Sequence, residues 1–292
     1  LINPSPSSEI ILNADGSIYH LGLRPEHLTD IVLTVGDPER VPAVSRYFDR
    51  IDARISKREF VTHVGEIGGR RIMVISSGIG TDNVEILLTE LHILANFDLQ
   101  HLLPKADARS LKIIRIGTSG AIQEDVPLDS LLCSDYAFGL DTLMQFYEAP
   151  CTEEEKTYAN ALKSHCQLGF PPYCARADAS LLKHFADVML TGNTVTCPGF
   201  YAPQGRRISL PIKPPFLMEQ LRNFTFQGNR LTNFEMETAG YYALGAALGH
   251  QMLSTNAIMA NRASGQFSNK PAETVDRLIR TVIDKILVLD SL

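Results

Sequence analysis

Two arginines stand where a chain of this kind could gather an anion. Arg40 comes four residues after Gly36, in Val35-Gly36-Asp37-Pro38-Glu39-Arg40. Arg115 lies in the apolar run Ile113-Ile114-Arg115-Ile116, three residues before Thr118 and just ahead of Gly117-Thr118-Ser119-Gly120. Glycines let the backbone approach closely and expose N–H groups. A threonine hydroxyl adds a neutral donor, and forked guanidinium groups add charged ones. That set suits phosphate. An arginine in an apolar strand also serves structural ion pairs, and both uses stay open at this point. There is no Walker pattern and no G-x-G-x-x-G, which counts against a nucleoside triphosphate or a dinucleotide.

These residues need elements to bring them together. Ile31-Val32-Leu33-Thr34-Val35 reads as a buried strand running into a tight loop at Gly36-Asp37-Pro38. A second strand, Ile72-Met73-Val74-Ile75, runs into Ser76-Ser77-Gly78-Ile79-Gly80, and the third is the run that holds Arg115. Each is expected to end in glycine and small hydroxyl residues, and ligands in open α/β sheets collect beyond such strand ends. Val84, Leu87, Leu88, Leu91 and Leu94 recur at helical spacing. Residues 101–109 read as a loop. Thr152-Glu153-Glu154-Glu155 is a capping-box signature opening a helix toward Cys166. Residues 234–249 read as a helix rich in small residues. Val275, Leu278, Ile279, Val282, Ile283 and Ile286, with Pro271 near the start, predict an amphipathic closing helix. Continuous apolar strands alternating with helices indicate a single α/β domain with a largely buried mixed sheet. Residues 1–18 read as a polar arm and 19–292 as the domain, with Pro211-Ile212-Lys213-Pro214-Pro215 a rigid surface loop within it.

Composition sets outer limits. A chain of 292 residues buries roughly three quarters of its unfolded surface and needs neither metal nor disulfide to hold a core. The formal net charge of −6 argues against a nucleic-acid binder, which shows a basic excess. The five cysteines, Cys133, Cys151, Cys166, Cys174 and Cys197, form no C-x-x-C pair and read as free thiols of a cytoplasmic protein. No cysteine or histidine cluster has the spacing of zinc ligands. No apolar run is long enough to span a membrane, and the first eighteen residues lack the basic and apolar regions of a signal peptide.

Five short words then occur in order: Val35-Gly36-Asp37-Pro38-Glu39-Arg40, Arg58-Glu59-Phe60, Ile114-Arg115-Ile116-Gly117-Thr118-Ser119-Gly120-Ala121, Asn233-Phe234-Glu235-Met236-Glu237 and, near the start, Tyr19-His20-Leu21-Gly22. Together they resemble the nucleoside phosphorylase family, from about Tyr19 to the C-terminus. The resemblance implies a three-layer α/β/α domain around a central mixed, twisted sheet. It implies phosphate binding by Gly36, Arg40, Arg115 and Thr118, with Arg58 reaching the phosphate of a neighbouring subunit. His20 would likewise cross an interface to the ribose 5′-hydroxyl. Glu237 would accept hydrogen bonds from the ribose 2′- and 3′-hydroxyls, above an apolar floor from Met236. Self-association, with sites shared across a dimer interface, follows from those roles.

Two further segments bear on the base. Phe200-Tyr201-Ala202-Pro203-Gln204-Gly205-Arg206 resembles the F-Y-x-x-Q-x-R word of the uridine phosphorylase branch. Gln204 offers a donor and an acceptor to a uracil edge, Arg206 donates to a carbonyl oxygen, and Phe200 stacks on the ring. Asn261-Arg262 carries a cation where hexameric purine enzymes usually carry an aspartate. The implied reaction is phosphorolysis of uridine to uracil and ribose 1-phosphate, with Arg115, Arg262 and Glu237 as its catalytic residues and inorganic phosphate as co-substrate rather than cofactor. No metal ligand set is expected. Some bacterial relatives hold a monovalent cation through residues matching Glu59, Ile79 and Asn83, and an amide at Asn83 in place of a hydroxyl leaves potassium open. The competing readings are a purine nucleoside phosphorylase or a nucleosidase on the same fold, and a catalytically silent nucleoside binder.

Overall fold

The apolar runs become the middle strands of one mixed sheet in the computed structural model, which describes residues 8–214 and 216–289. The first half of the chain contributes β1 (Ile31–Val35), α1 (Arg40–Ser45), β2 (Arg50–Lys57), β3 (Phe60–Ile67), β4 (Arg70–Ser76) and α2 (Thr81–Asn96). A small pair, β5 (Phe97–Asp98) and β6 (Leu103–Pro104), precedes β7 (Lys112–Ala121) and β8 (Leu131–Gly139). Next come α3 (Glu153–His165), β9 (Tyr173–Arg176), α4 (Ala179–Phe185), β10 (Leu190–Thr196) and α5 (Leu217–Asn223). The chain closes through β11 (Thr225–Phe226), β12 (Asn229–Glu235), α6 (Thr238–Ala247), β13 (Gln251–Asn261), β14 (Gln266–Phe267) and α7 (Pro271–Leu287).

The strand order is β11-β12-β10-β8-β13-β7-β1-β4-β3-β2, with β9 on β8 and β14 on β13. Strand β1 is parallel to β4 and β7, and β7 is parallel to β13, so the centre is buried on both faces and reads as continuous apolar sequence. At the edge, β2 pairs only with β3 and alternates exposed with half-buried residues; its charged Arg50, Asp52 and Arg54 discourage pairing with another sheet. One further pairing shapes the molecule. Strand β12 runs antiparallel to the far end of β7 through Asn233–Ala121 and Phe234–Gly120. Because β12 also pairs β10, the strands β7, β13, β8, β10 and β12 close into a ring.

The helices cover this sheet. Helices α2 and α6 pack together, α6 also meets β8, β10 and β13, α1 lies on β3 and β4, and α7 lies on β7 and β13. Helix α3 opens with the capping box read from Thr152 and Glu155, and α7 opens at Pro271 and buries Leu278, Ile279, Val282, Ile283 and Ile286. Among the described residues no helix is long and apolar enough to cross a membrane.

Four expectations need amending. The third apolar run does not end before its glycines: β7 continues through Gly117-Thr118-Ser119-Gly120 to Ala121, because β13 and β12 satisfy its backbone. The helix expected over 234–249 begins only at Thr238, because Phe234 and Glu235 are held as strand by β7 and β10. The loop at 101–109 contains the short strand β6, paired with β5. The first seven residues of the polar arm lie outside the described residues, as does Pro215 of the surface loop. The rest of the arm is not a free tail: Ile10 and Ile18 are buried in the main core, and Leu12 bridges Ile18.

A buried imidazole, His250, and half-buried His92 beside it fasten the end of α2 to the turn before β13. The Leu111 N–H donates to His250 Nδ1 (3.2 Å), and His250 Nε2 lies 3.3 Å from His92 Nδ1. Burial lowers both pKa values, that of His250 to about 4 with further help from His92. An unfolded histidine titrates near about 6.5, so the unfolded chain takes up these protons first. The stability of the neutral pair is therefore complete above that pH and drains away as the pH falls toward 4. Thermal melts between pH 7.5 and 4.5 should show this decline, and a shallower one in His250→Gln. Equal slopes in both proteins would refute the assignment.

Candidate active site

The β7–β12 pairing brings the end of the Arg115 strand beside the Asn233–Glu237 segment, and a cleft of about 660 Å³ opens there. Its walls come from the β1–α1 turn (Gly36, Arg40), the β4–α2 turn (Gly78, Ile79), β7 (Arg115 to Gly120), the segment between β10 and α5 (Phe200, Gln204, Arg206), the β12–α6 junction (Phe234 to Glu237), and Met259, Ala260 and Phe267. The volume lies within the usual range for a small-molecule site, roughly 300–1,000 Å³.

Arg115 is 4% exposed. It pairs laterally with Thr34 on one side and Ser254 on the other. Gly117, two residues along the same face, makes room for it; a Cβ at 117 would strike the guanidinium. The guanidinium donates to Asn256 Oδ1 (3.0 Å) and Ser254 Oγ (3.3 Å). Its other terminal nitrogen lies 2.6 Å from Glu237 and 3.0 Å from Glu235. Burial works against its charge, but the two carboxylates more than offset this.

The carboxylates are fixed differently. Glu235 accepts from the Glu237 N–H (3.0 Å), from the Thr238 N–H (3.0 Å) and from the Thr196 hydroxyl (2.7 Å), so it is tied to the start of α6. Glu237 accepts from the Gly80 N–H (2.9 Å) and from Arg115. Gly80 has φ of +95°, a backbone that disfavours any side chain. Burial pushes the Glu237 carboxyl above its usual range, Arg115 pulls it down, and Glu235 adds to the rise.

Arg40 is half-buried and donates to the Ile116 carbonyl (3.2 Å). Among the described residues no carboxylate forms an ion pair with it, and both burial and the nearby charge of Arg115 lower its pKa. A cation disfavoured in this way is stabilised by an incoming anion. Gly36 and Thr118 line the cleft alongside it.

The opposite end is built from a 3-10 turn, Ala202–Gln204. The Arg206 guanidinium stacks 3.7 Å from the Phe200 ring centroid and donates to Gln204 Oε1 (2.8 Å) and to the Phe200 carbonyl. Arg262 donates to the Gln204 carbonyl (3.1 Å) and lies 5.9 Å from the Phe234 ring. It supports the turn from behind, facing the groove formed with Met218 and Arg222. Burial, then Arg262, lowers the pKa of Arg206. This end therefore offers an aromatic face, an amide and guanidinium donors.

The cleft thus unites Gly36, Arg40, Arg115, Thr118, Phe200, Gln204, Arg206, Met236 and Glu237. His20 and Arg58 stand apart from it, and Arg262, expected to be catalytic, lines the neighbouring groove rather than the cleft. His20 and Arg58 meet each other through Tyr19: the His20 and Tyr19 rings are 4.8 Å apart, and Arg58 lies 5.8 Å from the Tyr19 ring. His20 Nδ1 is bonded to Glu90 (2.7 Å), while Arg58 is exposed at the β2–β3 turn. At the candidate potassium residues, the Asn83 amide donates to the Ile79 carbonyl (3.3 Å), pairing two of the three candidate ligands with each other. Among the described residues no three His, Cys, Asp or Glu side chains gather as a metal site. The sequence reading missed Ser254, Asn256, Gly80 and the grip of Glu235. Only the pairing of β7 with β13 would have pointed to the first two.

A family model described as the phosphorylase superfamily matches residues 30–287. The uridine phosphorylase of Thermococcus kodakarensis is 29% identical over 287 residues, covering 96% of this chain and 90% of that protein. The Escherichia coli uridine phosphorylase is 25% identical, covering 88% and 90%. A DeoD-type purine nucleoside phosphorylase of Xenorhabdus nematophila is 24% identical, covering 93% and 98%. Among solved structures, a Trypanosoma brucei nucleoside phosphorylase described as showing uridine phosphorylase activity superposes with a TM-score of 0.88 at 27% identity, covering 96% of this chain and all 100% of that one.

The geometry of Arg115 can be tested directly. Gly117→Ala should force the guanidinium from its carboxylates, and a buried charge without its partner costs on the order of 3 kcal/mol. A clear fall in the urea midpoint is expected; an unchanged midpoint would mean that the guanidinium does not lie over residue 117.

Proposed function

The chain belongs to the phosphorylase superfamily, and we propose that it catalyses the reversible phosphorolysis of uridine to uracil and ribose 1-phosphate. One observation carries this reading: a single cleft has an arginine-rich anion end, a buried carboxylate in its middle, and an aromatic–amide–guanidinium end opposite. Those three features match phosphate, ribose and uracil in the order in which the reaction joins them.

Phosphate binds between Gly36, Arg40, Arg115 and Thr118. Glu237 accepts from the 2′- and 3′-hydroxyls over Met236. Gln204 and Arg206 hold the polar edge of uracil, with Phe200 against its face and Arg262 behind. A phosphate oxygen attacks C1′ as the bond to N1 breaks, and the bonding electrons leave with the uracil, which is then protonated. The developing sugar cation sits between the phosphate and the Glu237 carboxylate. Catalysis is orientation plus charge stabilisation at both ends. The purine alternative is disfavoured by the Asn261-Arg262 word, which carries an arginine where hexameric purine enzymes usually carry the aspartate that protonates the departing base.

Arg58 and His20 act on the site of a second copy. In support, both lie outside their own chain's cleft, and the His20–Glu90 contact orients the ring. The enzyme is then a dimer or a larger assembly of dimers. We place it in the cytoplasm, where five free cysteines persist.

Ultraviolet-monitored cleavage of uridine, with inosine in parallel and phosphate added or omitted, tests this reading. Phosphate-dependent release of uracil with inosine untouched is expected. Cleavage without phosphate would make the protein a nucleosidase. Arg115→Ala should lower kcat by about a hundredfold or more, and Arg206→Ala should lower kcat/KM for uridine with little change in the KM for phosphate. Near-normal kinetics in Arg115→Ala would overturn the phosphate assignment, and a fully active monomer in sedimentation would overturn the shared site.

A further inference from the structure

We propose that Glu235 is a positioning residue that restrains Arg115, giving up phosphate affinity to keep the phosphate and sugar ends of the cleft in register. The inference rests on the functional reading above.

Glu235 is 4% exposed and has an unusually complete set of partners. Its oxygens accept from two backbone N–H groups at the start of α6 and from the Thr196 hydroxyl, which itself accepts from the Ala239 N–H (2.8 Å). These bonds anchor the carboxylate to backbone on two sides. It is therefore a fixed point, whereas Arg115 hangs on a long flexible side chain. Glu235 and Glu237 meet the same terminal nitrogen of Arg115, at 3.0 and 2.6 Å.

Charge counting gives the consequence. Arg40 and Arg115 carry two positive charges, and Glu235 and Glu237 two negative ones. With half-buried Arg40 counted beside the three buried charges, the group is balanced before any anion arrives. A phosphate must compete with Glu235 for Arg115, and Glu235 cannot follow the guanidinium toward it. The competition weakens phosphate binding but keeps Arg115 over Gly117 and beside Glu237. Interactions that tighten ground-state binding alone do not raise kcat, whereas alignment of reactants does.

Glu235→Gln keeps an acceptor for the helix N–H groups and removes the charge. Titration calorimetry with inorganic phosphate should then show a dissociation constant at least threefold lower than wild type. Steady-state kinetics with uridine should show kcat at least tenfold lower. A residue that merely caps α6 would lower the melting temperature and leave both quantities unmoved. Unchanged or weaker phosphate binding, or kcat within threefold of wild type, overturns the proposal. Thr196→Val loosens Glu235 without touching it and should move both quantities in the same directions by a smaller factor; it serves if the first variant does not fold. If the wild-type protein binds phosphate but leaves uridine intact, the functional reading fails while the affinity comparison still decides the role of Glu235.

Discussion

The site depends on burying one guanidinium. Stripping Arg115 of water is costly, and only close, well-directed partners repay it. That requirement sets the surroundings. Gly117 gives the side chain room, Asn256 and Ser254 take the donors facing β13, and two carboxylates meet the remaining nitrogen. The carboxylates need stabilising in turn. Helix α6 begins beside them, so its free N–H groups hold Glu235, while a glycine-bearing turn supplies the N–H that holds Glu237. With both acids committed to Arg115, Arg40 is left with a carbonyl. The anion-binding character proposed for the cleft is thus a by-product of how the first arginine is satisfied.

Much of this is legible in the amino-acid sequence. The three apolar runs, the capping box at Thr152 and the stripe on α7 are local patterns, and each marks a strand or helix of the fold, although β7 runs on past its glycines. Nine of the proposed site residues share one cleft. The failures have a common cause. Phe234 and Glu235 look helical because small residues follow them, yet distant strands claim their backbone. Gly117 looked like an exposed N–H donor, whereas its chief effect is the space above it. Ser254 and Asn256 are ordinary polar residues until β13 is known to lie beside β7. Long-range pairing decides all of these, and pairing is not written in local sequence. His20 and Arg58 were singled out by their words alone, and a single chain keeps them apart from the cleft.

Ring closure through β12 sets the ends of β7 and β12 side by side at the cleft. Arg115 and Thr118 are fixed by the pairing of β7, Gly36 and Arg40 follow directly on β1, and Glu237 sits at the junction of β12 and α6. Such support suits a reaction that depends on holding two reactants in place.

The base end is built otherwise. Phe200, Gln204 and Arg206 ride on a single connection between β10 and α5, outside the sheet, and grip one another, with buried Gln204 held from behind by Arg262. Changes there leave the strands that seat Arg115 untouched. Preference for one nucleobase over another can therefore be altered at one connection and its Arg262 support while the strands that seat Arg115 stay as they are. Uridine- and purine-directed relatives of one architecture are the expected harvest of that division, in which selection can rewrite preference without renegotiating the scaffold.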